Sequence, residues 1–313
     1  MFNKRNFLFL KYVKLFFYIT LLLLLIKAFI TSNKVYAQNL SLIQDAEIEL
    51  NIRKWINPIL EVAGLNPYSV NIYIVNDESI NAFVAGGQNI FINTGLILKA
   101  KKVDALIGVL AHEIGHIAGG HLNRTMNAMK DANNTVTIAT IITAGLMVFS
   151  KVAELRTPGI SKLVTLGPTI AERNFYKNSR QNEKYADAAA LKYMEAINRS
   201  PIPLTELLKE LGKQELLHEN RQDPYLRSHP ISRERINEII EASKNINIKY
   251  SKNTNNDKIN YKRMVAKIIA FTESPGKTLL LYPKNNLNID ARYARAIAYL
   301  RLPDLKKGIK EID

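Results

Sequence analysis

The stretch Val103-Asp104-Ala105-Leu106-Ile107-Gly108-Val109-Leu110-Ala111-His112-Glu113-Ile114-Gly115-His116-Ile117-Ala118 decides how this chain is read. Its apolar residues run round every side, so it predicts a buried helix and not a one-sided surface helix. Asp104 sits near the start, where an acid suits the helix dipole, and Gly119-Gly120 ends the run. His112 and His116 are four apart, so on a helix both imidazoles lie on one face and reach one ion. Glu113 lies beside that face, placed to hold a water molecule, take its proton and pass the proton on. The His-Glu-x-x-His pattern is a metal-ligand motif, although five residues also arise by chance. The bland alternative is a helix with two incidental histidines. Buried histidines without partners are costly, and two of the five histidines in the chain sit here. Both facts favour a single zinc ion per chain.

Composition narrows the remaining choices. The chain has 313 residues, 47% of them hydrophobic, which suits a globular core. It has no cysteine, so disulfides and Cys-ligated zinc are excluded and any metal must use His, Asp or Glu. The net charge of +15 is uneven. Residues 1–37 hold six Lys/Arg and no acid, residues 38–245 hold 23 basic and 22 acidic side chains, and residues 246–313 hold 14 and 6. The basic tail reads as a solvated surface or as a contact with an acidic partner or anionic membrane. No nucleic-acid motif accompanies it.

The first 37 residues predict an export signal. Lys4, Arg5, Lys11 and Lys14 precede the apolar run Leu15 to Ile26, which falls short of the ~20 residues a span needs. A polar stretch then ends in Val35-Tyr36-Ala37, a cleavage-like site. An uncleaved anchor is the alternative, because Lys27 and the apolar Ala28 to Ile30 blur the boundary. Export without cysteine fits a periplasm-like compartment.

Downstream, periodicity predicts a helix over 40–63, then strands over 70–75, 82–85 and 88–93 that look like a small antiparallel unit. A short helix follows over 96–100, then the key helix. Residues 136–149 are apolar but short for a span, so they read as a buried helix or a membrane-surface lid. Helices are expected over 170–197, 204–219 and 232–244, with an irregular loop over 220–230. Residues 245–257 are Asn/Lys-rich and read as a linker. Helical segments over 261–271, 291–300 and 302–312 close the chain.

A catalytic zinc needs a third protein ligand and one position left for water. His121 is one residue too early for the longer zincin pattern. On a continued helix it would point about 180° from His112, so it reads as a packing or supporting histidine. Glu183, in Ser179-Arg180-Gln181-Asn182-Glu183-Lys184-Tyr185-Ala186-Asp187, is the better candidate. Glu183 and Asp187 are four apart and share a face. Glu183 can ligate while Asp187 accepts a hydrogen bond from a ligating imidazole. Spacing alone leaves an ordinary solvated acidic face equally open.

His-Glu-Ile-Gly-His, a later Asn-Glu-x-x-Ala-Asp on a helix and Ser228-His229-Pro230 beyond it together resemble the HtpX/Oma-type zinc metallopeptidases. Asn81-Ala82-Phe83 and Asn93-Thr94-Gly95-Leu96 match that pattern too. The likeness covers roughly residues 40–313 and is nearest the periplasmic β-barrel assembly-enhancing proteases.

The resemblance implies an α+β, zincin-like peptidase domain over 38–245, with a small antiparallel or mixed sheet and a mostly helical remainder. A linker and a partial tetratricopeptide-like helical segment would fill 246–313. It implies His112, His116 and Glu183 as ligands, Glu113 as base and Asp187 as their support. It gives His229 a place near the metal as a self-inhibiting cap, and gives Arg235 a part in stabilising the oxyanion or the fold. The strand over 88–93 would be the edge that receives an extended substrate. Substrates would be misassembled or unfolded envelope proteins, with the outer-membrane barrel assembly machinery as a partner and peripheral membrane contact through 136–149 or the basic tail. A non-proteolytic chaperone for outer-membrane proteins is the rival from another class, and a membrane-embedded protease is the rival within the family.

Overall fold

A computed structural model describes residues 41–121, 170–218, 221–246 and 254–313. The expected signal at 1–37 and the apolar run at 136–149 lie outside these residues. Among the described residues no helix is long and apolar enough to cross a membrane.

Among the described residues the sheet has four strands: β1 (Leu42–Ile43), β2 (Asn71–Val75), β3 (Ala82–Ala85) and β4 (Asn89–Asn93). Their order is β1-β2-β4-β3. β1–β2 and β3–β4 are antiparallel, but β2 and β4 run parallel, with Ile72 opposite Ile90 and Ile74 opposite Ile92. The expected antiparallel unit is therefore a mixed sheet. Among the described residues the parallel pairing puts β4 in the interior and leaves β1 and β3 at the edges, so the strand expected as an edge over 88–93 is not one. Ile74, Ile90 and Ile92 are buried on one face. On the other, Tyr73, Phe91 and Phe83 stack across three strands, with 5.0 Å between successive ring centroids.

Helices pack against the apolar face. α1 (Ala46–Val62) is capped by Asp45, whose side chain accepts from the Ile48 N–H, and it buries Ile48, Ile52, Trp55, Ile56, Ile59 and Leu60. α2 (Thr94–Lys99) leads to α3 (Val103–Ala118), which is buried continuously from Ala105 to Gly115. α3 is the central helix, packed on α4 (Ile170–Ala196) and on α5 (Ile202–Gly212). At Gly108 and Gly115 a Cβ would press on Leu204 and on Ala186, so these two glycines set how near α5 and α4 come.

The further α-helices among the described residues are α6 (Pro224–Ser228), α7 (Arg233–Lys244), α8 (Thr254–Thr272), α9 (Pro275–Leu281), α10 (Ile289–Arg301) and α11 (Leu305–Ile312). α6 lies inside the expected loop over 220–230. Its support is tertiary: Ile80 N–H donates to Asp223 Oδ1 at 2.9 Å, and Tyr225 N–H donates to the Ile80 carbonyl at 3.2 Å. α8 starts within the expected linker and buries Tyr261, Met264 and Ile268 in the main core. Trp55 Nε1 donates to Asp257 at 3.0 Å, and Arg199 joins Asp257 to Asp104, tying α8 to α1 and to the start of α3. A smaller cluster of Ala266, Ala270, Ala294 and Ile297 joins α8 to α10.

Candidate metal centre

α3 delivers His112 and His116 one helical turn apart, with Glu113 between them. α4 crosses at Gly115 and brings Glu183 and Asp187 opposite. α6 ends at Ser228, and its successor His229 turns into the same space. One donor atom from each of His112, His116, Glu183 and His229 falls within 4.8 Å of all the others. His112 Nε2 is 3.0 Å from His116 Nε2, 3.4 Å from His229 Nδ1 and 3.4 Å from Glu183 Oε2. Glu183 is 3.3 Å from His116 Nε2 and 3.1 Å from His229 Nδ1.

These separations have a simple meaning. Donors ~2.0–2.1 Å from a central ion at tetrahedral corners stand roughly 3.3–3.4 Å apart. Three imidazoles and a carboxylate, buried or half-buried, converging with all donor atoms within 4.8 Å and five of the six separations at 3.0–3.4 Å, therefore fit a four-coordinate divalent ion. The donor chemistry (nitrogen and carboxylate oxygen, no thiolate) suits the same ion.

The surroundings orient the donors. His112 Nδ1 lies 2.9 Å from Asp187 Oδ1, so its other nitrogen faces the centre. Arg235 Nε donates to Asp187 Oδ2, Nη2 donates to Asp187 Oδ1 at 2.8 Å, and Nη1 reaches Glu183 Oε2 at 2.9 Å and the Pro230 carbonyl at 3.0 Å. Four of its five N–H groups are thereby engaged. Burial alone would lower the His112 pKa, but Asp187 and Glu183 hold it up at about 9. Burial pushes His116 down to about 3. Burial would raise Glu183, yet His229, His112 and His116 hold it well below the usual carboxylate range. Burial raises Glu113, against the pull of His229 and His112. The Glu113 Oε1 atom is buried, accepts no hydrogen bond among the described residues and stands 3.4 Å from His229 Nε2.

The sequence-predicted residues His112, Glu113, His116, Glu183, Asp187, His229 and Arg235 thus meet in one buried cluster. His121, read from the sequence as a packing or supporting histidine, lies with its Nδ1 2.8 Å from His116 Nδ1. Gly120 adopts φ +61, so His121 does not continue α3 and its direction is not that of helical extrapolation. Tyr225 is a further neighbour that sequence reasoning missed. It is fully buried, its ring centroid is 4.7 Å from that of His229, and burial raises its hydroxyl pKa.

A buried His/His/Glu centre with a glutamate at its rim defines the metallohydrolase class, and comparison with known sequences specifies it further. The profile described as Peptidase family M48 matches residues 44–243. The chain belongs to this family and is, by family, a metalloendopeptidase. The putative beta-barrel assembly-enhancing protease of Vibrio cholerae is 26% identical over 245 residues, covering 75% of this chain and 48% of that protein. The metalloprotease LoiP of Escherichia coli is 29% identical over 178 residues, covering 56% and 64%. The mitochondrial metalloendopeptidase OMA1 of Schizosaccharomyces pombe is 31% identical over 72 residues, covering 23% and 21%. The chain spans at most about half the length of the beta-barrel assembly-enhancing relatives, 48% and 33% in the Vibrio cholerae and Escherichia coli proteins.

Proposed function

We infer that this chain is a zinc endopeptidase of the cell envelope that hydrolyses internal peptide bonds of unfolded or misassembled outer-membrane proteins. The observation that carries the chemistry is the convergence of donor atoms from His112, His116, Glu183 and His229, all within 4.8 Å of one another, beside Glu113. His112, His116 and Glu183 are the metal-holding residues in this reading. A zinc ion held there supplies a Lewis acid that polarises the scissile carbonyl and lowers the pKa of water. Glu113 accepts the proton of the attacking water and hands it to the leaving amine nitrogen as the C–N bond breaks. Its raised pKa, a consequence of burial, suits a group that must both take and return a proton.

Arg235 acts here through charge and packing. It neutralises Asp187 and Glu183 and ties Pro230 to them, which favours the fold-stabilising role over the oxyanion role. His229 closes the fourth corner and lies against Glu113, so one ring covers both the metal position and the base. Substrate turnover requires it to leave. An extended substrate pairs with the open edge of β3, the strand beside α3. The envelope substrates, the periplasmic location and a barrel-assembly partner rest on the names of the relatives and on the export-like N-terminus.

The test is Glu113→Gln measured beside wild type on an unfolded protein substrate, with zinc content determined in both. The reading expects zinc retained and cleavage lowered by at least ~10²-fold. Cleavage at the wild-type rate refutes it.

A further inference from the structure

We propose that His121 is a positioning residue of the metal centre, accepting the Nδ1–H of His116 and so fixing which nitrogen of His116 faces the ion. The proposal rests on the reading of His116 as a metal ligand.

Three independent features of the chain converge on this contact. The first is distance: His116 Nδ1 and His121 Nδ1 are 2.8 Å apart, within hydrogen-bonding range, and both rings are largely withdrawn from solvent. Two imidazole nitrogens that close must be one donor and one acceptor. His116 Nε2 faces His112 and Glu183, so it must offer a lone pair to a cation. A neutral imidazole has one proton, which then sits on His116 Nδ1. His121 Nδ1 is left as acceptor, and His121 carries its own proton on Nε2. Only this pair of tautomers leaves His116 able to ligate.

The second feature is the backbone. Gly120 adopts φ +61, a left-handed conformation in which a side chain is strained, and it stands between the end of α3 and His121. The third is space. A Cβ on Gly119 would lie 2.4 Å from His121 Nε2 and 2.8 Å from its Cδ2. The Gly119-Gly120 pair thus ends the helix and also makes the seat in which the His121 ring rests. His121 serves His116 as Asp187 serves His112, whose Nδ1 lies 2.9 Å from Asp187 Oδ1. Each α3 imidazole is held through the nitrogen that turns away from the centre. The two supports differ in strength, one being a carboxylate and the other a neutral ring.

The experiment measures zinc affinity of the full chain by competition with a chromophoric chelator, and the visible absorption of the cobalt(II)-loaded protein. His121→Phe keeps a planar ring without the acceptor. His121→Asn places a carbonyl oxygen near the Nδ1 position. Gly119→Ala keeps His121 but displaces its ring. Loss of a hydrogen-bond partner behind a ligating histidine costs ~10–100-fold in metal affinity. The expected result is a loss of that size and a shifted cobalt spectrum for His121→Phe and Gly119→Ala, with His121→Asn close to wild type. Far-ultraviolet circular dichroism of the metal-free variants checks folding. Should His121→Phe not fold, the contrast between Gly119→Ala and His121→Asn decides. The proposal is overturned if His121→Phe or Gly119→Ala binds zinc as wild type does, or if His121→Asn loses as much as His121→Phe. A wild-type chain that takes up no zinc overturns the zinc reading along with it, whereas equal binding by wild type and variants overturns this proposal alone.

Discussion

Replacing Gly115 by valine tests whether the approach of two helices builds the metal centre. Gly115 sits between Glu113 and His116, on the side of α3 that meets α4. An added Cβ would lie 3.1 Å from Ala186 Cα, 3.1 Å from the Ala186 carbonyl oxygen and 3.2 Å from Ala189 Cβ. Ordinary contacts are ~3.5–4.0 Å. A Cβ alone therefore needs a few tenths of an ångström, and the two further methyls of valine need about 1 Å. The atoms in the way are backbone and Cβ of α4, which cannot swing aside, so the helix itself must move. Glu183 rides on that helix less than one turn before Ala186. Metal–ligand distances tolerate only ~0.2 Å, and a ~1 Å displacement of a positioned group costs ~10²-fold. Overpacking costs ~1–3 kcal/mol of stability, which leaves a folded protein if the total is the usual ~5–15 kcal/mol. The expected outcome is a folded variant with zinc affinity and peptidase activity each reduced about 10²-fold, read by chelator competition and by cleavage of an unfolded protein. A folded Gly115→Val protein with wild-type zinc affinity would refute the claim that this contact sets the position of Glu183.

Two further perturbations probe the surrounding charge. Arg235→Met removes the cation that engages Asp187 and Glu183, leaving buried carboxylates under-compensated; denaturant unfolding of the metal-free protein should show a loss of about 3–5 kcal/mol, and a loss below ~1 kcal/mol would be that of an exposed pair instead. Asp257→Asn breaks the buried link from α8 to Arg199 and Trp55. Burial would raise the Asp257 pKa, but Arg199 and Trp55 hold it lowered. Its contribution is therefore complete above the ordinary carboxylate value of ~3.9 and is lost as pH falls through the lower folded-state value. Thermal unfolding should show wild type more stable than Asp257→Asn at pH 7, with the gap closing below about pH 4; a gap unchanged down to pH 2 would be inconsistent with the ionised carboxylate as its source.

The parts of this site that sequence could show are those governed by local spacing. His112 and His116 share a face because four residues make about one turn, and Glu183 and Asp187 do so for the same reason. The continuous burial of α3 follows from residues that are apolar on every side. Long-range pairing was hidden. β1 has two residues, too few for alternation to register, and it exists because Leu42 and Ile43 pair with Val75 and Ile74. The parallel register of β2 with β4 joins residues 18 apart across an intervening strand, so local pattern predicts an antiparallel neighbour instead. α6 has five residues and depends on Ile80, a contact across 143 positions between Asp223 and the Ile80 amide. His229 and Arg235 entered through a family pattern and not through spacing, because only tertiary packing brings them against α3 and α4. His121 reads from the sequence as a packing or supporting histidine, and it does lie against His116; only its direction escapes helical extrapolation, because Gly119 ends α3.

The donors come from three places: one turn of α3, one position on α4, and the residue after α6. No continuous piece of this polypeptide owns the grip on an ion. A nascent or half-unravelled chain carries the motif yet lacks the constellation, so destructive chemistry emerges only once tertiary packing is complete. For a peptidase, that dependence is a safeguard: a copy that has not finished folding cannot yet cut its neighbours.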